Sequence, residues 1–358
     1  MKTSPSNKPL QIRRRSWRFY RNWLIYMLMW ASLLSIALSA LRNPLPIYYY
    51  LLGAYPVYCV GSSIFYAYRF THPGGRFVMS RVTPANAGLE YEAVEFASRD
   101  GLILFGWYLP GKNRAATILV HGHGSKGIVM IYHASALVAK GYAVLMFDLR
   151  AHGSSDGEVC TNGWMESSDL LGAVDYLRSR GDVDADKIGV LGLSLGGQVA
   201  LRAAAQDGTL RAVVAEDPNP AVLLDHGDRP VSLLGWVRYP RNWLFYRLLA
   251  FMNGAKPPSG LCDVVAQIAP KPLLLIATGK GNDLRYTQRL YDCSLKPKEL
   301  WPVPQAKHAG GYFHDPEEYQ KHVVSFFDQA LFGRVERQIE FKSQHPSQGR
   351  MNSDDEVR

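Results

Sequence analysis

One serine in the chain stands where a serine can act as a nucleophile. Residues 192–196 read Gly-Leu-Ser-Leu-Gly, which matches the pattern G-x-S-x-G. The motif joins an apolar run typical of a strand, Ile188 to Leu193, to a helix-like run from Gln198 to Gln206. A serine on a sharp strand-to-helix turn, flanked by glycines that tolerate crowding, presents its hydroxyl for attack. The pattern therefore predicts covalent catalysis through Ser194.

The elements that must position this serine alternate along the chain from about Leu89 onward. This alternation of strand-like and helix-like runs predicts a mostly parallel sheet with crossover helices, which is an α/β fold. Helical patterns cover residues 128–140, 165–179, 195–206, 285–293 and 316–331. The runs that suit strands are Tyr91 to Ala97, Ile103 to Leu109, Ala116 to Val120, Ala143 to Phe147, Ile188 to Leu193, Ala212 to Ala215, Leu273 to Ala277 and Glu299 to Val303.

One connection between strands is much longer than the others. Over fifty residues separate the strand that ends near Glu216 from the strand that starts near Leu273, whereas connections usually take about 2 to 6 residues plus a helix. We interpret residues 218–268 as a cap whose aromatic side chains line a pocket for an apolar substrate group. An aromatic surface that rests on a membrane is the alternative. The aromatic residues concerned are Trp236, Trp243, Phe245, Tyr246 and Phe251.

Together, the strand order, the serine turn, the late insertion and a final histidine loop resemble the α/β-hydrolase superfamily over roughly Tyr91 to Leu331. The chain is similar to its membrane-anchored Bem46-like and serine-aminopeptidase-like branches. The matching stretches are residues 121–124, 148–155 and 192–197. Ala151 departs from the pattern, because these branches more often have glycine there. The resemblance implies an α/β-hydrolase fold with a cap and a catalytic triad in the order Ser, acid, His.

A histidine must take the serine proton, because an unactivated hydroxyl is a poor nucleophile at neutral pH. His308 lies a few residues after the last predicted strand, where the resemblance expects the base, and two glycines follow it. His314 is a rival, but its neighbours Asp315 and Pro316 suit a helix cap. His322 lies within the following helix. We therefore predict His308 as the general base and then the general acid.

The acid of the triad must orient the imidazole and stabilise its cation, so it should follow a neighbouring strand. The resemblance places it at Asp283, which comes after the strand Leu273 to Ala277 and a short loop. Glu216 and Asp217 are the alternatives, at the end of the preceding strand. Asp283 is the predicted acid.

An oxyanion needs hydrogen-bond donors that are fixed in advance. The backbone N–H of Leu195 and that of His123 are the predicted donors. His121 and His123 have a spacing that could suit metal ligands, but no Asp-His pair or cysteine accompanies them, so we expect no metal site. The polar cluster after residue 147 is expected to be a structural brace, with Asp148 and Arg150 among its members. The triad mechanism requires no cofactor.

The segment before this region carries most of the net charge of +9. Residues 1–21 contain seven cations and no acid, and two uncharged apolar stretches follow at 22–40 and 47–68. Each stretch is long enough to cross about 30 Å of hydrocarbon. The basic arm, with Arg69 after the second stretch, predicts a transmembrane hairpin whose two ends lie in the cytoplasm. A cleaved signal peptide followed by one anchor is the alternative.

The four cysteines show no CxxC spacing, so we expect reduced thiols in the cytoplasm and no disulfide or zinc site. The predicted organisation is a basic arm at 1–21, two transmembrane helices at 22–70, a linker at 71–90, an α/β-hydrolase domain at 91–332 and a disordered polar tail at 333–358.

The expected function is that of a membrane-anchored serine hydrolase that cleaves a carboxylic ester, a thioester or an amide through an acyl-Ser194 intermediate. An acyltransferase on the same fold and a catalytically retired membrane interaction protein are the alternatives. The expected partners are a small-molecule or lipid-like ester and membrane lipids. Nucleic acid is not expected, because no recognition fold accompanies the basic arm.

Overall fold

The computed structural model describes residues 24, 27–28, 30–36, 38–39, 47–73, 82–227, 232–279 and 281–333. The predicted basic arm at 1–21 and nearly all of the predicted tail at 333–358 lie outside the described residues, as does part of the first predicted span at 22–40.

The centre of the fold is an eight-stranded sheet in the order β1-β2-β4-β3-β5-β6-β7-β8. Strands β3 to β8 are parallel to one another, whereas β2 is antiparallel to both β1 and β4. Continuous apolar runs give the central strands two buried faces, as parallel sheets require. The strands are Glu92–Ala97, Ile103–Leu109, Ala116–Val120, Ala143–Phe147, Ile188–Leu193, Leu210–Glu216, Leu273–Thr278 and Lys298–Val303.

Helices cover both faces of this sheet. One face packs against α2 and α9, and the other against α3, α4, α6 and α7, which gives two apolar cores separated by the sheet. The helices in chain order, α1 to α9, are Ile47–Thr71, Ile131–Ala139, Glu166–Arg178, Leu195–Gln206, Leu233–Asn253, Leu261–Val265, Asn282–Cys293, Gly311–His314 and Pro316–Phe332. This is the expected α/β architecture.

The second apolar stretch of the sequence forms α1, and α1 packs against α5 of the insertion. The Tyr55 hydroxyl donates to the carbonyl of Val237, and the rings of Phe70 and Phe245 have centroids 5.6 Å apart. Among the described residues, no helix combines the length and the apolar character needed to cross a membrane. The predicted transmembrane hairpin is therefore not supported by the part of the chain that the structure describes.

The long connection between β6 and β7 contains α5 and α6, but its aromatic residues do not all line a pocket. Tyr246 is buried beside Leu249 and Trp164, and Phe245 is half-buried. Trp236, Trp243 and Phe251 are exposed, so the expectation that they line the pocket is wrong. On α5, Tyr246 and Leu249 pack against the body of the protein, whereas Trp236, Trp243 and Phe251 lie on parts of the helix that the described residues do not cover.

A disulfide joins Cys262 of α6 to Cys293 of α7, so the expectation of reduced thiols is wrong for this pair. The sequence offers no spacing signal because the two residues are 31 positions apart and meet only when the two helices pack together. Cys59 and Cys160 are free and buried.

Candidate active site

Ser194 lies on the sharp turn between the end of β5 and the start of α4. Its φ of 53° and ψ of −112° are outside the regions that residues other than glycine favour. The backbone packs closely around this turn, which leaves no room for a side chain on the two motif glycines. A Cβ on Gly192 would lie 2.1 Å from the Gly196 carbonyl oxygen, and a Cβ on Gly196 would lie 2.1 Å from that of Val120. The two motif glycines therefore allow strand, turn and helix to approach.

The structure brings His308 and Asp283 to this serine. His308 Nε2 lies 2.9 Å from Ser194 Oγ, and His308 Nδ1 lies 3.0 Å from Asp283 Oδ2. His308 belongs to the loop between β8 and α8, whereas Asp283 is in the first turn of α7. The side chains of His308 and Asp283 are 47% and 46% exposed, so solvent water reaches this pair. The three side chains form a continuous hydrogen-bonded chain from hydroxyl to carboxylate.

Asp217, an alternative acid, lies next to the same imidazole in a buried position. Its Oδ2 is 3.7 Å from His308 Nδ1, and its side chain is 1% exposed. The carboxylate accepts hydrogen bonds from the N–H groups of Thr278 and Ala309 and from the Thr278 hydroxyl. Burial raises the pKa of Asp217, while these donors and His308 act in the opposite direction. Asp217 therefore ties the end of β7 to the histidine loop.

Glu216, the other alternative, holds the same loop through different contacts. Its Oε1 accepts from the Gly311 N–H at 2.8 Å and its Oε2 accepts from the Tyr319 hydroxyl at 2.7 Å. Burial raises the pKa of this carboxyl to about 7, although both donors and His308 oppose the rise. Glu216 is not within hydrogen-bonding distance of His308 in the structure, so it supports the loop without orienting the imidazole.

The glycine loop after β3 approaches the serine from the other side. A Cβ on Gly122 would lie 3.4 Å from Ser194 Cβ, which puts the loop carrying His123 beside the nucleophile. The Gly124 N–H donates to His152 Nε2 at 3.1 Å, and His121 Nε2 accepts from the Leu149 N–H at 3.0 Å. These bonds fix the loop, and His121 has a structural role in it.

The histidines around this loop are held in their neutral form. Burial lowers the pKa of His121 to about 4 and that of His152 to about 3. Burial also lowers the pKa of His123, whose Nε2–H donates to the Phe70 carbonyl at 2.9 Å. Neutral imidazoles can accept from backbone N–H groups, which His⁺ cannot. The hydrogen bonds that His121 and His152 accept therefore require these two imidazoles to be neutral.

Among the described residues, one group of side chains has the spacing to hold a metal ion. Ligand atoms of Asp217, Asp283 and His308 lie within 4.8 Å of one another. These atoms already bond to one another or to neighbours: His308 contacts Ser194 and Asp283, and Asp217 accepts from backbone donors. The arrangement is suited to proton transfer.

The polar cluster after β4 is a brace. Asp148 accepts from the N–H groups of Gly127 and Ser154, and Arg150 pairs with Asp169 and Asp100. None of these side chains contacts Ser194 in the structure, which agrees with the role expected for the cluster.

The comparisons with known proteins agree with this fold. Residues 77–228 match the family described as X-Pro dipeptidyl-peptidase (S15 family). The uncharacterized protein Rv2307c of Mycobacterium tuberculosis H37Rv is 30% identical over 243 residues, which cover 66% of this chain and 76% of that protein. The esterase Pf2001 of Pyrococcus furiosus superposes with a TM-score of 0.60 and 28% identity, over 73% of this chain and 98% of the esterase. The chain belongs to the α/β-hydrolase superfamily.

A further relative has a named activity. The thiohydrolase aneE of Aspergillus aculeatus is 35% identical over 143 residues, which cover 38% of this α/β-hydrolase and 44% of the relative. The superfamily is shown by these matches, and the esterase neighbour agrees with a hydrolase enzyme.

The structure also separates the predicted site residues of this α/β-hydrolase from their rivals. His314 ends the short helix α8, and Asp315 caps α9 by accepting from the Glu318 N–H. His322 stacks on Trp301 and bonds to Glu299.

Two contacts of the site are not among the predictions made from the sequence. These are the support of the histidine loop by Glu216 and Asp217 together, and the contact of Phe70 with His123. The adjacent acids after a buried strand were a signal for the first contact, whereas nothing in the spacing of residues 70 and 123 indicates the second.

The raised pKa of Glu216 predicts a pH-dependent stability. The folded carboxyl keeps its proton up to about pH 7, whereas the unfolded carboxyl has the ordinary value of 4.5. The stabilisation is therefore complete below about pH 4.5 and is lost as pH rises through about 7. Between pH 5 and pH 8, the free energy of unfolding of the wild type should fall by up to about 3 kcal/mol more than that of Glu216→Gln. Chemical denaturation at each pH measures this difference.

The matched control for this measurement is Glu317→Gln on the exposed first turn of α9. This control should reproduce the pH dependence of the wild type. An unchanged pH dependence in Glu216→Gln would contradict the assignment of this titration to Glu216.

Proposed function

We propose that the protein is a serine hydrolase that cleaves a carboxylic ester through an acyl-Ser194 intermediate. The observation that carries the proposal is the hydrogen-bonded chain Ser194 Oγ, His308 and Asp283, with distances of 2.9 and 3.0 Å. A nucleophile bonded to a base, with the base oriented by a carboxylate, is the arrangement that activates a hydroxyl.

In the first step, Ser194 Oγ attacks the carbonyl carbon of the ester while His308 Nε2 takes the hydroxyl proton. The imidazolium that forms is stabilised by Asp283, which accepts from Nδ1–H. The tetrahedral oxyanion is proposed to accept from the N–H groups of Leu195 and His123. Collapse of the intermediate expels the alcohol, which receives the proton from His308, and leaves the acyl group on Ser194.

In the second step, water replaces the alcohol and His308 acts again as base. The half-exposed side chain of His308 supports hydrolysis, since bulk water can reach the atom that must activate it. An acyltransferase needs an acceptor that outcompetes water at the same position, so the exposure favours the hydrolase. The intact triad likewise gives no support to a retired site.

We propose an ester with an apolar, lipid-like acyl group as the substrate. The named activities of two relatives support an ester or a thioester as the bond that is cleaved: the structural neighbour from Pyrococcus furiosus is an esterase, and the relative from Aspergillus aculeatus is a thiohydrolase. A thioester or an amide passes through the same acyl-serine, so these substrates fit the same site. The Bem46-like and serine-aminopeptidase-like branches remain the proposed place of the chain within the superfamily.

We propose further that the protein is held at a membrane with its catalytic domain on the cytoplasmic side. The cations of residues 1–21 and Arg69 support this side under the positive-inside bias. The disulfide between Cys262 and Cys293 argues for the opposite side, because stable disulfides are rare in the cytosol. The proposed cytoplasmic side therefore requires this disulfide to persist in a reducing compartment.

The role of Ser194 predicts labelling by a fluorophosphonate probe, which reacts with activated serines. Ser194→Ala should lose the label and should hydrolyse p-nitrophenyl esters at least about 10³-fold more slowly, because the covalent route is removed. Ser179→Ala, at an exposed serine after α3, is the matched control and should behave as the wild type. Equal labelling of the wild type and Ser194→Ala would refute the assignment.

The two carboxylates beside His308 predict different defects. Asp283→Asn should lower kcat by about 10³-fold or more with little change in thermal stability, because it disturbs the imidazole alone. Asp217→Asn should lower the melting temperature and reduce kcat less, because its carboxylate holds Thr278 and Ala309. Thermal melts and ester kinetics on both variants measure this. A larger kcat loss in Asp217→Asn would transfer the role of acid to Asp217.

A further inference from the structure

Helices α1 and α5 form a paired element next to the loop that carries His123. The Ser63 hydroxyl of α1 donates to the Arg241 carbonyl of α5 at 2.9 Å. The inner side of α5 is fixed by Tyr246 and Leu249, which are buried against the body of the protein. Both helices therefore have one side committed to protein contacts and another side turned outwards.

The outward side of this pair is apolar. On α5 the exposed residues include Leu233, Trp236 and Phe251, with Leu233 and Phe251 exposed to 83% and 85%. On α1, Leu52 and Val60 are exposed to 67% and 49%. We call the exposed residues of α1 and α5 the two-helix surface. An exposed apolar surface of this kind marks a binding site for a protein or a membrane.

The charges on the two helices have one sign. The span of α1 contains a single charged residue, Arg69, and the span of α5 contains Arg238, Arg241 and Arg247. Neither span contains Asp or Glu. Apolar and aromatic residues combined with arginines and no acids are the composition of helices that lie in the interface of an anionic bilayer. A membrane with anionic lipids therefore complements this surface in both hydrophobicity and charge.

The residues that precede α1 in the sequence also favour an anionic membrane as the partner. Residues 22–40 and the seven cations of residues 1–21 precede α1 in the sequence. The charge and the apolar character of these residues also complement an anionic lipid surface.

The pair is also connected to the catalytic site. At the C-terminal end of α1, the Phe70 carbonyl accepts from His123 Nε2–H at 2.9 Å, and the two rings have centroids 4.8 Å apart. His123 belongs to the loop beside Ser194. Helix α1 of the pair therefore contacts the loop that lies beside Ser194.

We propose that the two-helix surface docks into the interface of an anionic lipid bilayer and delivers lipid-like esters from that bilayer to Ser194. The proposal rests on the proposed hydrolase function for its substrate, but the docking is measured separately. In this proposal, helices α1 and α5 are the lipid-binding elements.

The test uses the full chain with an environment-sensitive fluorophore on one introduced cysteine. Leu234→Cys places the label on the two-helix surface, and Gln206→Cys places it at the far end of α4, away from Ser194. The native cysteines do not compete, because Cys59 and Cys160 are buried and the other two form a disulfide. The vesicles are phosphatidylcholine with or without phosphatidylglycerol.

The label at position 234 should shift to shorter wavelength with phosphatidylglycerol vesicles, while the label at position 206 should not. Replacing Arg238 and Arg247 by Gln should weaken binding to these vesicles by about fivefold per arginine, since each cation near an anionic surface contributes a similar increment. A label at position 234 that stays in a water-like environment while the chain floats with the vesicles would overturn the proposal. A shift that depends on protein concentration without vesicles would also overturn it, in favour of self-association.

Hydrolysis of a soluble p-nitrophenyl ester separates this proposal from the proposed function. Turnover without a spectral shift at position 234 would reject the docking surface and leave the hydrolase function standing. A spectral shift without turnover would reject the hydrolase function and leave the docking surface standing.

Discussion

The strained turn at Ser194 is the constraint on which the rest of the site depends. A residue with φ of 53° at the end of a buried strand is stable only when its surroundings hold it in place. The surroundings here are backbone atoms of β3, β5 and α4, which approach so closely that Gly192 and Gly196 have no room for a Cβ. The Ser194 N–H adds a bond to the Glu216 carbonyl at 2.9 Å, which joins the turn to the end of β6. The nucleophile is thus fixed by the sheet itself.

The base reaches this fixed serine on a loop, and buried carboxylates hold that loop. Glu216 and Asp217 bond to the N–H groups of Gly311 and Ala309, on the C-terminal side of His308. The same strand end therefore contacts both the turn that carries the nucleophile and the loop that carries the base. Asp283, in contrast, comes from the half-exposed start of α7. Asp283 therefore contacts the imidazole most closely, whereas Glu216 and Asp217 hold the loop that carries it.

The parts of this account that the sequence predicts are local in origin. The strands Ala116–Val120, Ala143–Phe147 and Ile188–Leu193 agree with the structure because each is a short, mostly apolar run that a polar residue follows. The proximity of Ser194, Asp283 and His308 is predicted by the resemblance to α/β-hydrolases, in which the triad residues occur in the order Ser, acid, His. The disulfide and the contact of Phe70 with His123 join distant segments, and the pattern within one segment carries no signal for either. The exposed side of α5 was misjudged because aromatic residues suit a pocket and a surface equally well.

In the proposed mechanism, catalysis passes through a covalent bond to Ser194. The most direct measurement is rapid quenching of the wild-type protein with excess p-nitrophenyl ester, followed by intact-protein and peptide mass spectrometry. We expect a transient mass increase equal to one acyl group on the peptide that contains Ser194, and no such increase in Ser194→Ala. Turnover of the ester with no adduct, or with the adduct on another residue, would contradict it.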